Sequence, residues 1–194
     1  MKSLAGTKTE ANLRNAFAGE SRARASYGLF AAKAKEEGHK DAALYFETTS
    51  ANEQEHANIW LRFLGGDSSS AAKAGENIAV GATKDNLQKA IDGETFENSN
   101  MYPGFVRDAR EEGFDAIAKL FDQVSEIEKT HAEHFKRLLD RLASTAAKHA
   151  PVALKDTWKC GKCGNIASAQ SAPGKCEVCG NDGGTSPAYS QLVV

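Results

Sequence analysis

The stretch "SEIEKTHAEHF", residues 125–135, has the spacing of an amphipathic helix, yet Glu128 and His131 fall among residues that should face a core. A second stretch, "ANEQEHANIW" (51–60), repeats the oddity with Glu53 and His56. An acid and a histidine one turn apart share a helix face. Two such pairs turned inward need a reason.

The surrounding chain supplies the frame. Residues 1 to about 145 are rich in Ala, Glu, Leu and Lys, and apolar residues recur at three and four in four segments: 8–37, 39–64, 84–112 and 114–145. Gly38 and Gly113 mark the turn within each pair of segments. The connection "GGDSSSAAKAGENIAVGATKDN" between the pairs is too long for a tight turn. It reads as the crossover of a ferritin-like four-helix bundle. The halves also repeat: "EEGHKDAALYFETTSANEQEH" (36–56) aligns without a gap on "EEGFDAIAKLFDQVSEIEKTH" (111–131). Glu53 falls on Glu128 and His56 on His131. Glu20 corresponds to Glu94, and Tyr27 to Tyr102 after one inserted residue.

Each segment carries one stripe at helical spacing. Leu13, Phe17, Glu20, Tyr27 and Phe30 share a face, as do Phe46, Thr49, Glu53, His56, Trp60 and Phe63. So do Leu87, Ile91, Glu94, Glu97 and Met101, and Ile117, Phe121, Val124, Glu128, His131, Phe135 and Leu138. Five carboxylates therefore point inward: Glu20, Glu53, Glu94, Glu97 and Glu128. Burying one unpaired charge costs several kcal/mol. Five together exceed the roughly 5–15 kcal/mol that holds a domain folded. The stripes carry almost no Lys or Arg, so two divalent cations are the economical counter-charge. Two E-x-x-H pairs plus a Glu from each other helix is the donor set of di-iron carboxylate bundles.

Other acids and histidines receive plainer readings. Glu36 and His39 also stand three apart but straddle Gly38, a coincidence of spacing. His134 has Ile59 as its repeat counterpart and reads as a rim or core histidine. Glu47, Glu55, Glu126 and Glu133 lie off the stripes and read as solvated charges. Glu97 breaks the repeat, because its counterpart is Ala23, so the two metals should be inequivalent. Tyr27 and Tyr102 are expected to hold ligand carboxylates through their hydroxyls. Pro103 should kink or bulge the third segment.

The tail is different in kind. Residues 156–194 are rich in Gly, Cys and Ser, and too few to hold a core without a staple. "WKCGKCG" and "GKCEVCG" place Cys160, Cys163, Cys176 and Cys179 as C-x2-C, twelve residues, C-x2-C. That is a tetrathiolate metal ribbon, with Gly164 and Gly180 relieving the two knuckles. Zinc would make it structural and iron a one-electron carrier, and spacing does not choose between them. The expected organisation is a bundle at 1–147, a linker at 148–155 and the ribbon at 156–194.

Bulk properties exclude other classes. A net charge of −2 over 194 residues, with no basic run, argues against nucleic-acid binding. No apolar run marks a signal peptide or a membrane span. The cysteines are confined to the ribbon, as expected in a reducing cytoplasm.

The ordered set "GES" at Glu20, "EQEH" at 53–56, "ETFEN" at 94–98, "EKTH" at 128–131, then "WKCGKCG" and "CEVCG", resembles the rubrerythrins along essentially the whole chain. The resemblance implies a ferritin-like di-iron bundle followed by a rubredoxin-like Fe(Cys)4 domain, which turns the ribbon's metal toward iron, with zinc as a possible substitute. It implies a peroxidase that reduces hydrogen peroxide to water and protects against oxidative stress. Electrons would come from an external rubredoxin- or reductase-like donor. It also implies a homodimer in which the thiolate centre of one chain lies near the di-iron site of the other. Carried over, Glu53 and Glu128 would bridge the irons, Glu20 would bind one terminally, and Glu94 with His131 the other. Glu97 would bind the oxidised metal and His56 the reduced one. Two positions depart from the rubredoxin pattern: Glu177 stands where Pro is usual and Ile166 where Tyr is usual. The alternative functions are a ferroxidase built on the same bundle, or a redox-inactive scaffold with zinc in the ribbon.

Overall fold

The computed structural model describes residues 2–144, 153–184 and 187–193. Helices α1 (Lys8–Glu36) and α2 (Lys40–Phe63) form the first antiparallel pair. Helices α3 (Thr83–Phe96) and α4 (Tyr102–Glu111) make one interrupted rod, which pairs with α5 (Asp115–Ala143). The crossover between the pairs contains only a short 3-10 turn at Ser69–Ala71. The interruption of the third rod is a π-helical segment, Glu97–Met101, with Pro103 in the first turn of α4. The proline nitrogen carries no hydrogen and cannot continue the i to i−4 ladder, and the extra residue in the π turn absorbs the mismatch.

The repeat is visible in how the ends are tied. Gly38 and Gly113 both take left-handed φ, 80° and 72°, after the "EEG" that closes α1 and α4. The amides that follow turn back: His39 N donates to Ala34 O at 2.8 Å and Phe114 N to Ala109 O at 2.7 Å. The second Glu of each "EEG" caps the first helix of the other pair. Glu37 accepts from Thr83 N at 2.8 Å, and Glu112 accepts from Lys8 N at 3.0 Å and Thr9 N at 2.8 Å. Each carboxylate meets free amides at a helix N-terminus, where negative charge is favoured.

The core is split into two apolar halves. One contains Leu13, Phe17, Trp60, Tyr102, Phe121 and Val124, and the other Tyr27, Phe30, Phe46, Leu87, Phe135 and Leu138. Between them lies a polar layer formed by the inward acids and histidines. No helix among the described residues is long and apolar enough to cross a membrane.

The tail folds as a three-stranded antiparallel sheet, order β2-β1-β3, from β1 (Ala153–Cys160), β2 (Ile166–Ser168) and β3 (Tyr189–Val193). Residues 145–152, which include most of the expected linker and the end of the expected bundle, lie outside the described residues, and 153–155 already belong to β1. The two cysteine knuckles have the same bonding: Cys160 N to Asn165 O with Gly164 N to Cys160 O, and Cys176 N to Asn181 O with Gly180 N to Cys176 O.

Candidate metal centre

Glu20, Glu53, His56, Glu94, Glu128 and His131 are all at most 1% exposed, which puts the expected donors inside the polar layer. They divide into two nests. His56 Nδ1 lies 2.8 Å from Glu53 Oε2, 2.9 Å from Glu128 Oε1 and 3.8 Å from Glu20 Oε2. His131 Nδ1 lies 2.8 Å from Glu128 Oε2, 3.2 Å from Glu53 Oε1 and 3.7 Å from Glu94 Oε2. Glu53 and Glu128 thus give one oxygen to each nest, while Glu20 and Glu94 serve one nest apiece. Within each nest the four donor atoms lie within 4.8 Å of one another. All eight are buried and have no hydrogen-bond partner. Lone pairs converging this way are what a pair of cations satisfies.

The electrostatics agree. Burial, then the charge of Glu128, pushes Glu20 up to about 8. Burial, then the charge of Glu53, pushes Glu94 well above the carboxylate range. Burial opposes ionisation of Glu53 as well, but His131 and His56 outweigh it and hold its carboxyl below the usual range. Burial likewise disfavours charge on both imidazoles, and the surrounding carboxylates overcome it, raising both. Two imidazolium groups can balance only part of this acid. Two divalent cations balance the rest and need no protons to do so.

The unused oxygens are held by the tyrosines. Tyr27 OH donates to Glu94 Oε1 at 2.5 Å, and Tyr102 OH donates to Glu20 Oε1. Trp60 Nε1 donates to Tyr102 OH at 3.2 Å, extending the chain of bonds. Each tyrosine serves the carboxylate of the other repeat. Glu97 is not in either nest. It is half-buried in the π segment, with Oε1 3.7 Å from where a Cβ on Gly19 would lie. Burial, then the charge of Glu20, pushes its pKa well up.

The four cysteines converge separately. Cys160 Sγ is 3.9 Å from Cys179 Sγ, and Cys163 Sγ is 3.6 Å from Cys176 Sγ. These separations are far too long for disulfides. They match the edge, about 3.8 Å, of a tetrahedron with metal–sulfur bonds of about 2.3 Å.

The ribbon docks on the histidine side of the bundle. His56 Nε2–H donates to Cys163 O at 2.9 Å, which leaves Nδ1 to its nest. Asn52 Nδ2 donates to Lys162 O at 2.9 Å. Gly164, at φ +80°, is pressed against the bundle: a Cβ there would lie 3.0 Å from Asn52 Oδ1 and 3.2 Å from His131 Nε2. Lys162 Nζ reaches Glu55 Oε1 at 3.1 Å, and Lys159 Nζ lies 5.3 Å from the centroid of Tyr45. The resemblance implies such proximity between two chains; here a chain makes it with its own ribbon.

One sequence expectation is corrected here. Glu55 is only 4% exposed, not solvated, because Lys162 and Arg62 cover it. Glu47, Glu126 and Glu133 are exposed as expected. His134 is half-buried, outside both nests, and stacks on Tyr45 with ring centroids 3.7 Å apart. Asn52, Trp60 and Lys162 were not anticipated as parts of the site. Asn52 left a signal, since its repeat counterpart is Ile127, and a polar residue replacing an apolar one on a buried stripe marks a special neighbour.

Comparison with known proteins settles the kinship. The family model for rubrerythrin matches residues 11–139. The chain belongs to the rubrerythrin family. It is 38% identical over 183 residues to rubrerythrin of Nitratidesulfovibrio vulgaris, covering 92% of this chain and 93% of that one. It is 36% identical over 178 residues to rubrerythrin of Porphyromonas gingivalis, with 92% and 88% covered. Among solved structures, partially reduced nigerythrin matches with a TM-score of 0.70 at 28% identity, over 98% of this chain and 89% of that one. Symerythrin from Cyanophora paradoxa matches with a TM-score of 0.60 at 22% identity, which supports the ferritin-like fold alone. As in this family, the nests fit a di-iron pair and the ribbon fits Fe(Cys)4.

Proposed function

We infer that this rubrerythrin-family oxidoreductase is a peroxidase that reduces hydrogen peroxide to water, fed with electrons through its own Fe(Cys)4 ribbon. The observation that carries this reading is the single hydrogen bond from His56 to Cys163 O, which joins one metal nest to the tetrathiolate cluster. A storage or ferroxidase bundle has no use for such an inlet.

In this reading Glu20, Glu53, His56 and Glu128 hold one iron, and Glu53, Glu94, Glu128 and His131 the other. Cys160, Cys163, Cys176 and Cys179 hold the third. A bound iron pair would supply the two electrons that peroxide cleavage needs, and a thiolate-bound iron would supply one-electron transfer to refill it. The balance is one peroxide, two electrons and two protons to two waters.

The chain's own groups do the positioning. Tyr27 and Tyr102 fix Glu94 and Glu20 by their outer oxygens, so that the inner oxygens stay aimed at the metals. His56 keeps one tautomer because its Nε2–H is spent on Cys163 O. Burial, then the charge of Glu20, favours the protonated form of Glu97, which stands beside the nests and can give a proton at its carboxyl oxygen. The resemblance makes His56 the ligand of the reduced pair and Glu97 that of the oxidised pair. The positions of His56 inside its nest and Glu97 outside support the first half of that exchange. Oxidative-stress protection in the cytoplasm, an external donor and a homodimer complete the proposal.

Stopped-flow mixing of the reduced protein with peroxide and with dioxygen tests it. Peroxide should oxidise the pair much faster, and a donor should sustain turnover. Faster reaction with dioxygen, and no donor-linked turnover, would instead make the protein a ferroxidase.

A further inference from the structure

The six nest residues are at most 1% exposed, so a small oxidant needs a way in. Most sides are closed. The ribbon's Cys163 and Gly164 cover the histidine side. One end is shut by Trp60, Tyr102 and Phe121, with Trp60 and Phe121 centroids 4.7 Å apart. The other is shut by Tyr27, Phe46 and Phe135, with Tyr27 and Phe135 centroids 5.3 Å apart.

The face between α1 and α3 differs. A cleft of about 430 Å³ opens there, lined by Gly19, Ala23, Tyr27, Ile78, Gly93 and Glu97 among others. Glu97 is the least buried of the five inward acids, and Tyr27 bonds directly to Glu94. Where facing helices carry Gly19, Ala23 and Gly93, no large side chain fills the seam. A Cβ on Gly93 would meet nothing within 4 Å. The crossover roofs the cleft and is tied down from both helices. Arg22 on α1 donates to Glu76 O at 2.9 Å and to Asn77 O at 3.4 Å, and Lys89 on α3 donates to Ala79 O at 2.9 Å.

The geometry points to this cleft as the entrance through which small neutral oxidants reach the metal pair, with Gly93 and Ala23 as the residues that keep it open and Glu97 at its inner end. The inference rests on the oxidoreductase reading above, but not on which oxidant is preferred.

The test uses the full-length, iron-loaded protein with Gly93→Trp and Ala23→Phe, and Gly28→Trp as control. Gly28 is an exposed α1 residue whose added Cβ would also meet nothing within 4 Å, and it does not line the cleft. Two readouts are taken: single-turnover oxidation by peroxide and by dioxygen, and the rates at which azide binds to and leaves the oxidised pair. Gly93→Trp and Ala23→Phe should slow oxidation by both oxidants roughly tenfold or more, and slow azide entry and exit together with little change in azide affinity. Iron content and spectra should match the wild type, and Gly28→Trp should behave as wild type. Wild-type rates in both plugged variants would overturn the entrance. So would a changed azide affinity at an unchanged entry rate, which would mean that the site itself was altered. Should wild type prefer dioxygen to peroxide, the peroxidase reading fails while the azide rates still decide the entrance.

Discussion

Glu20 on α1 is held by the hydroxyl of Tyr102, 82 residues further along the chain. The mirror relationship, Tyr27 to Glu94, spans 67 residues. A ligand oxygen is thus aimed chiefly by a residue from the opposite helix pair, with Trp60 Nε1 of its own pair adding a longer bond to Glu20 Oε1 at 3.5 Å.

Removing that hydroxyl should loosen the metal without unfolding the bundle. Tyr102→Phe leaves the ring packed against Phe121 and Phe105 but leaves Glu20 Oε1 only the longer, 3.5 Å bond from Trp60 Nε1. Iron affinity of the pair, measured against a competing chelator, should fall about 10- to 100-fold, with the ribbon's affinity unchanged. Unchanged affinity at both sites would show that the tyrosine is packing alone.

Gly164 and Gly180 offer a matched comparison. Both have left-handed φ, +80° and +76°, so Ala at either should cost about 1–2 kcal/mol of ribbon stability. Only at Gly164 would the new methyl press on Asn52 and His131; at Gly180 the nearest atom is Lys175 Cε at 3.9 Å. Gly164→Ala should therefore also slow electron transfer from the reduced ribbon to the oxidised pair, followed by flash reduction or stopped flow. Equal rates in the two variants would mean that the docked contact does not carry the transfer.

Cys160→Ser separates the two centres chemically. It should abolish donor-linked peroxide turnover, yet leave one round of oxidation of a chemically reduced pair at the wild-type rate. Loss of both would show that the ribbon is needed for more than electron delivery. Absorption from thiolate-to-iron charge transfer, bleached by reductant in the wild type, verifies iron in the ribbon before the comparison is made.

The reciprocal caps make a pH prediction. Hydrogen bonds from the Thr9 side chain, then its amide, hold Glu112 below its ordinary value of 4.5. A depressed carboxyl stabilises the fold above the unfolded value and loses that contribution as pH falls through the folded one. Glu112→Gln should lower the melting temperature at neutral pH, and the difference from wild type should close as the pH falls below 4.5 and through the lowered folded value. A gap independent of pH would assign the effect to packing.

Much of this was legible in the sequence. Inward acids at Glu20, Glu53, Glu94 and Glu128 required cations whatever the loops did, because an unpaired buried charge costs more than a fold can spare. Helical spacing put each histidine on the face of its glutamate. The cysteine spacing implied a tetrathiolate on its own, and "EEG" marked both turns.

What tertiary structure alone decided was which groups meet across the chain. The periodicity of a helix assigns a residue to a face but not to a partner on another helix. For that reason Tyr27 and Tyr102 could be tied to carboxylates in advance, but not to those of the opposite repeat. Glu55 read as solvated because its cover, Lys162, arrives from a separate module more than a hundred residues away. The same holds for Asn52 and Gly164: their close approach is set by docking two surfaces, which no local pattern along one element encodes.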